Sequence, residues 1–441
     1  MALHPATGIP TRLLMWQRVR EYAVPPSMIE TATARRAAGD WAGAAAAARV
    51  DIDLDLRAVR HRHGTDLLTR LRADLRRLAP DLLRWHMPRT APDGRLRPGL
   101  TVTLARYGAA DLVVRTPPAR ADAGQRMSLA LWSGPGRHTP HPHPHPDRRF
   151  RLDLHRHLWD ATRSGELARH HHDHNGPWAH RGWAAAAETL LRTESRGAFT
   201  VRLAPRRAGV YELVAPDDSH APTYRPLAER PPPHEVAALP VLPEAAARVL
   251  PDLELLRHGL LTTDRLHPLV ATALPVRPEA VIAPTLRDPH RVECRGEIHR
   301  IALCDGVLTA VDHDPAQLRR EELLVALGGP PLPCLRAIDA VHRNPEALPA
   351  VRERLRHGDV TGALAVVEGL LGPRAVLRDG PLRDELESAA ARRVDHGLFR
   401  SGLTDDHPAA TGHRPRLDRR TPLPIRRKRT SRTRPRTGAT S

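Results

Sequence analysis

Apolar residues along the first ninety positions recur at three- and four-residue spacings, which predicts helices. Ser27 follows Pro25-Pro26 and is positioned to cap a helix over Met28 to Ala38. Gly39 can end it in the left-handed conformation, and Asp40 can cap the next helix, whose Ala44 to Ala48 run has high helix propensity. A longer amphipathic segment carries Leu67, Leu68, Leu71, Leu75, Leu78, Leu82 and Leu83, and Pro88 stops it. Near residue 99 the period changes to two. Leu100 to Leu104, Asp111 to Arg115 and Met127 to Trp132 then read as strands separated by glycine and proline turns. Phe150, Leu152 and Leu154 alternate with polar residues, as in a fourth strand or an extended lead-in to a helix. A helix over Trp183 to Arg192 and a hairpin of Phe199 to Ala204 with Val210 to Ala215 complete this unit.

The pattern weakens over 216–243, where eight prolines indicate a semi-rigid linker. Beyond it the chain turns mainly helical, over 244–258, 315–327, 334–342, 346–356, 360–371 and 381–395. Ile301 to Cys304 and Val307 to Ala310 flank Asp305-Gly306, a dipeptide suited to a tight hairpin turn. The expected class is therefore α+β and helix-rich, with antiparallel hairpins in the middle of the N-terminal half. The expected domains are 1–215, a linker at 216–243, a mainly helical 244–402 and a disordered basic tail at 403–441.

Two internal echoes accompany this pattern. Gly39-Asp40-x-x-Gly43-Ala44 matches Gly358-Asp359-x-x-Gly362-Ala363, and Pro80-Asp81-Leu82 matches Pro251-Asp252-Leu253. The first has the form of a helical-hairpin hinge, but two copies without a regular period do not make a repeat array.

Composition narrows the function classes. The 441 residues are 41% hydrophobic, enough for real cores, but only 3% aromatic. No apolar run approaches the roughly 18 residues of a membrane span, and Met1 to Arg20 lacks the continuous apolar stretch of a signal peptide. A cytoplasmic protein with no membrane contact is expected, its three cysteines reduced. The net charge of +18 suggests nucleic acid, yet Arg414 to Arg436 alone sets eleven basic residues against Asp418 and leaves +8 for the rest. Lys428 is the only lysine, an arginine bias typical of GC-rich coding. Within the tail, Arg426, Arg427, Lys428 and Arg429 can contact a polyanion non-specifically; no aromatic residue interleaves with them for base stacking.

Eleven of the 27 histidines fall between His138 and His180. Pro140 to Pro146 alternates proline with histidine and displays His143 on an extended strip. If Asp153, His155 and His157 alternate on a strand, they share one face and with His143 could ligate zinc or another transition metal. Low-complexity histidine tracts are, as a rule, solvated loops that bind metals incidentally. Asp51, Asp53 and Asp55 could share a face, though such a stretch more often leads into a helix cap. Cys294, His299 and Cys304 lie close together, but no Cys-x-x-Cys pair exists, so the cysteines read as buried free thiols. Phosphate-loop, dinucleotide and nucleophile-elbow motifs are missing from the sequence.

Val24-Pro-Pro-Ser-Met-Ile-Glu30, Gly39-Asp-Trp-Ala-Gly43, Leu78 to His86, Arg148 to Trp159 and Gly358 to Pro373 together resemble an uncharacterised protein family of high-GC actinobacteria, across roughly residues 8 to 402. The resemblance implies no activity and no catalytic residue. The expectation is a non-enzymatic cytoplasmic binding or scaffold protein with a protein partner. Its rivals are a metal-binding protein or metal-dependent enzyme using the histidine-rich segment, and a non-specific nucleic-acid binder acting through the tail.

Overall fold

The computed structural model describes residues 9–134, 141, 145–170, 176–194, 197–204, 207–216, 220–229, 231–274, 291–294, 296–304, 307–310, 313–330, 332–335, 347–371 and 380–403. The chain divides between His396 and Gly397 into two compact units, and the sites described all belong to the first. Its class is α+β. Among the described residues no helix is long and apolar enough to cross a membrane.

A four-stranded sheet anchors the principal core, in the order β1 (Val50–Asp53), β4 (Met127–Trp132), β3 (Asp111–Arg115), β2 (Thr101–Arg106). Strands β2 to β4 form the antiparallel meander that the period-two pattern predicts. Strand β1 adds in parallel on β4, with Val50 opposite Met127 and Ile52 opposite Leu129. The acidic Asp51 to Asp55 stretch is thus half strand and half cap: Asp55 accepts from the Arg57 and Ala58 amides. The Leu56–Arg77 helix buries Leu67, Leu68, Leu71 and Leu75 in this core. The amphipathic segment is not one helix, however. The chain is extended at Leu78 and Ala79 and restarts at Pro80, whose fixed φ suits a first helical position and whose missing N–H costs nothing there. The same preference displaces Ser27 as a cap: the helix runs Pro26–Ala37, with Pro25 at the capping position.

Part of the proline-rich stretch joins a sheet. Residues Thr223–Pro226 form β7, which pairs with β6 (Arg207–Val214); β6 in turn pairs with β5 (Ala198–Ala204). The Pro240 carbonyl accepts from the Thr200 amide, which extends the sheet. Trp183, Phe199, Tyr211 and Tyr224 fill this second core, with ring centroids 5.5 to 5.8 Å apart between Trp183 and both tyrosines and between Phe199 and Tyr211. Further along, Leu250, Leu255, Leu261, Leu266 and Val270 return to the first core.

Two fully buried aspartates, one from each Pro-Asp-Leu echo, fasten that return. Asp252 accepts from Arg20 Nη2 at 3.1 Å and from Trp85 Nε1 at 2.7 Å, and the Arg20 guanidinium lies 4.0 Å from the Trp85 ring centre. Asp81 lies 2.8 Å from His267 Nε2. Because His267 Nδ1 accepts from the Leu269 amide, the proton sits on Nε2 and is donated to Asp81.

The Gly-Asp echo is a repeated device. Gly39 and Gly358 have φ of 77° and 79°. Asp40 Oδ1 accepts from the Gly43 amide at 2.8 Å and Asp359 Oδ1 from the Gly362 amide at 3.2 Å. Arg35 and Arg354, five residues before each cap, bond its other oxygen at 3.0 and 2.8 Å. A Cβ on Gly43 or Gly362 would lie 2.0 or 2.1 Å from the capping carboxylate, which explains the second glycine. The hairpin of Ala347–Arg356 and Val360–Leu371 seats on the N-terminal region. There Arg49, at φ 58°, donates to the His357 carbonyl and pairs with Asp359 at 3.3 Å.

Candidate metal centre

A small sheet in the later half positions the best-defined ligand cluster. Strands β8 (Arg291–Cys294), β9 (Glu297–Cys304) and β10 (Val307–Ala310) pair in the order β10-β9-β8. The β9-β10 hairpin matches the sequence expectation, with Val307 opposite Cys304; Asp305 and Gly306 lie outside the described residues. Strand β8 is an addition, turned back into β9 at Gly296, whose φ of 87° is open to glycine. In the β8-β9 register Cys294 faces Glu297 and Val292 faces His299, and in β9-β10 Ile301 faces Ala310. Directly opposed residues point to the same side and side chains alternate along a strand, so Cys294, His299 and Ala310 share one face. Leu332 and Cys334 cover that face, joined by Leu318 and Leu335. His313 follows β10, just before the Asp314-capped helix Pro315–Ala326.

These three segments bring Cys294, His313 and Cys334 together, each offering a ligand atom within 4.8 Å of the other two. Cys334 Sγ lies 3.4 Å from His313 Nε2. A tetrahedral ion with zinc-like bond lengths separates a sulfur and a nitrogen ligand by about 3.6 Å, so this edge already has nearly the required length. Both cysteines are fully buried free thiols, and burial, reinforced by the adjoining Cys294, pushes the Cys334 thiol up to about 12. The buried His299 ring stacks on His313 with centroids 4.0 Å apart. Its Nδ1 has no hydrogen-bond partner, while Nε2 stands 3.8 Å from the Glu297 carboxylate. Two sulfurs and one imidazole are a donor set for zinc or a similar soft-to-borderline ion.

The residues that the sequence pattern nominated lie elsewhere. Arg151 bridges to Thr103, but the chain then turns into a 3₁₀ segment at Arg156–Leu158, so Asp153, His155 and His157 do not alternate along a strand. Asp153 is engaged by Arg151 through two bonds of 2.8 Å and by Arg106 at 3.3 Å. His155 and His157 are buried, their rings edge to face with centroids 5.7 Å apart. His141 donates from Nε2 to the Thr116 carbonyl at 2.8 Å. His143, and Arg426, Arg427, Lys428 and Arg429 of the tail, lie outside the described residues. Sequence reasoning grouped Cys294 with His299 but missed His313 and Cys334, which are 19 and 40 positions downstream of Cys294.

No family model, curated protein or solved structure matches this chain.

Proposed function

We propose that this is a zinc-binding protein whose ion is held by Cys294, His313 and Cys334. The mutual approach of those three ligand atoms to within 4.8 Å carries the reading. Its role is structural. Among the described residues the buried cluster beside the small sheet is Cys294, Ala310, Leu332 and Cys334, with Leu318 and Leu335 packed against it, so two of the proposed ligands are themselves part of that core. A structural zinc ion contributes on the order of 10 kcal/mol to folding of such modules. It would tie β8, the start of the Pro315–Ala326 helix and the helical residues around Cys334 to one point. Bound zinc would also keep the Cys334 thiol ionised, which burial alone opposes.

The test is metal content of the untagged full chain, purified under reduction and dialysed, beside Cys334→Ser and His155→Ala/His157→Ala variants. One equivalent of zinc, kept by the histidine pair variant and lost by Cys334→Ser, supports the proposal. Cobalt(II) substitution should then give the intense bands of a tetrahedral thiolate site. Absence of retained metal, or metal that persists in Cys334→Ser, overturns it.

A further inference from the structure

A cleft far from the cysteines has the character of a ligand site. It opens between the first helix (Thr11–Arg18), the end of the Pro80–His86 helix, the Phe150 to Leu158 turn and residues 244–251. Its volume is about 270 Å³, and Met15, Met87, Phe150, Leu152, Leu158 and Leu250 give it apolar walls. Three other lining side chains each bury a nitrogen without a partner: Trp16 Nε1, His86 Nε2 and Arg89 Nε. Indole and guanidinium nitrogens here can only donate. His86, held neutral by burial that drags it down to about 3, can donate from Nε2 as well. Arg89 is fixed by its other nitrogens to the Arg84 and Gly94 carbonyls, which leaves Nε unsatisfied. Arg12 pairs with Glu254 and Arg248 with Glu244 at 3.6 Å, so among the described residues Arg89 is the lining cation without a carboxylate partner.

Native interiors rarely leave buried donors unmet, and three in one apolar cleft call for a ligand rich in acceptors. A cavity of about 150 Å³ takes benzene, so this one has room for roughly ten or eleven heavy atoms. We propose that the cleft binds a small amphipathic carboxylic acid, its carboxylate among the buried donors and its apolar body on the methionine, phenylalanine and leucine walls. The binding is independent of the metal centre.

The experiment is titration calorimetry of the full chain with octanoate, octanol and octylamine as probes, with Trp16→Phe and Leu152→Trp variants. Saturable one-to-one binding of octanoate is expected, with octanol at least about tenfold weaker and octylamine not bound. Trp16→Phe removes one donor at nearly constant shape and should weaken octanoate about fivefold or more. Leu152→Trp fills the cleft and should abolish binding with the thermal midpoint preserved; if it does not fold, Ala245→Phe narrows the same cleft from the opposite wall. Equal affinity for octanol and octanoate, no saturable octanoate binding, or octanoate binding unchanged in the folded cleft-filling variant would each overturn the proposal.

Discussion

Asp252→Asn isolates the charge that joins the two ends of the main core. The carboxylate is fully buried between Arg20 Nη2 and Trp85 Nε1, and Arg20 is itself 2% exposed. An asparagine preserves shape and can still accept from Trp85, but it leaves the guanidinium uncompensated in the core. Breaking one partner out of a buried pair costs about 3 to 5 kcal/mol, a large fraction of the roughly 5 to 15 kcal/mol that holds a domain. In urea, with a slope of about 2 to 3 kcal/mol per molar, the midpoint should fall by about 1 to 2 M. Tryptophan fluorescence is the readout, since Trp85 sits in the pair and Trp16 lies 5.2 Å from it. Replacing both partners, as Arg20→Met with Asp252→Leu, should recover most of the loss, because a buried pair and an apolar substitute of similar volume are close in energy. A loss below about 1 kcal/mol for Asp252→Asn, or strictly additive losses in the double variant, would refute the assignment of a coupled pair.

Two further outcomes follow from the hinge and from a buried histidine. Gly362→Ala should destabilise by about 1 kcal/mol despite alanine's better helix propensity, because its Cβ drives Asp359 off the cap and away from Arg49 and Arg354. Adding it to Asp359→Ala should cost nothing more by urea titration, and a stabilising Gly362→Ala would contradict the cap argument. His357 is fully buried, its Nε2 is 3.9 Å from the Glu353 carboxylate, and burial with the neighbouring arginines outweighs that carboxylate and lowers its pKa to about 3. The folded state therefore binds its proton later than the unfolded state, at about 6.5, so stability falls as pH drops between those values, by up to about 1.4 kcal/mol per pH unit. From pH 7 to 4 the urea midpoint of wild type should fall relative to that of His357→Leu; parallel curves would show that His357 is not the group.

Much of the architecture was legible because its causes are local. A leucine stripe, an alternating run and an aspartate after glycine act within a few residues, which is why the β2 to β4 meander, the β9-β10 hairpin and both Gly-Asp hinges match expectation. The misses are long-range. Strand β1 joins β4 in parallel after an intervening 73 residues, and no local pattern encodes that pairing. Strand β7 was also unforeseen: Pro226 lies opposite Tyr211, since proline is compatible with a sheet edge, where no ladder N–H is required of it. The repeated Pro-Asp-Leu context of Asp81 and Asp252 was visible, but their burial and their distant partners were not. The metal ligands were hidden for the same reason, since three segments supply them and no short spacing unites them. The histidine-rich stretch misled in the opposite direction: Asp153, which composition favoured as a ligand, is occupied by two arginines that the same composition supplied in plenty.

The bond between Arg20 and Asp252 spans 232 positions and that between Arg49 and Asp359 spans 310. At about 5 to 20 residues per second on the ribosome, Arg20 waits roughly 10 to 45 seconds for its counter-charge, and Arg49 roughly 15 to 60. During that interval the helices nearest the start of the chain carry a guanidinium meant for the interior and an open apolar face. Completion of the core is thus timed by synthesis of the segment through Leu274 rather than by the N-terminal half itself. A nascent chain arrested before Pro251 should be a client for chaperones, and the full chain should not.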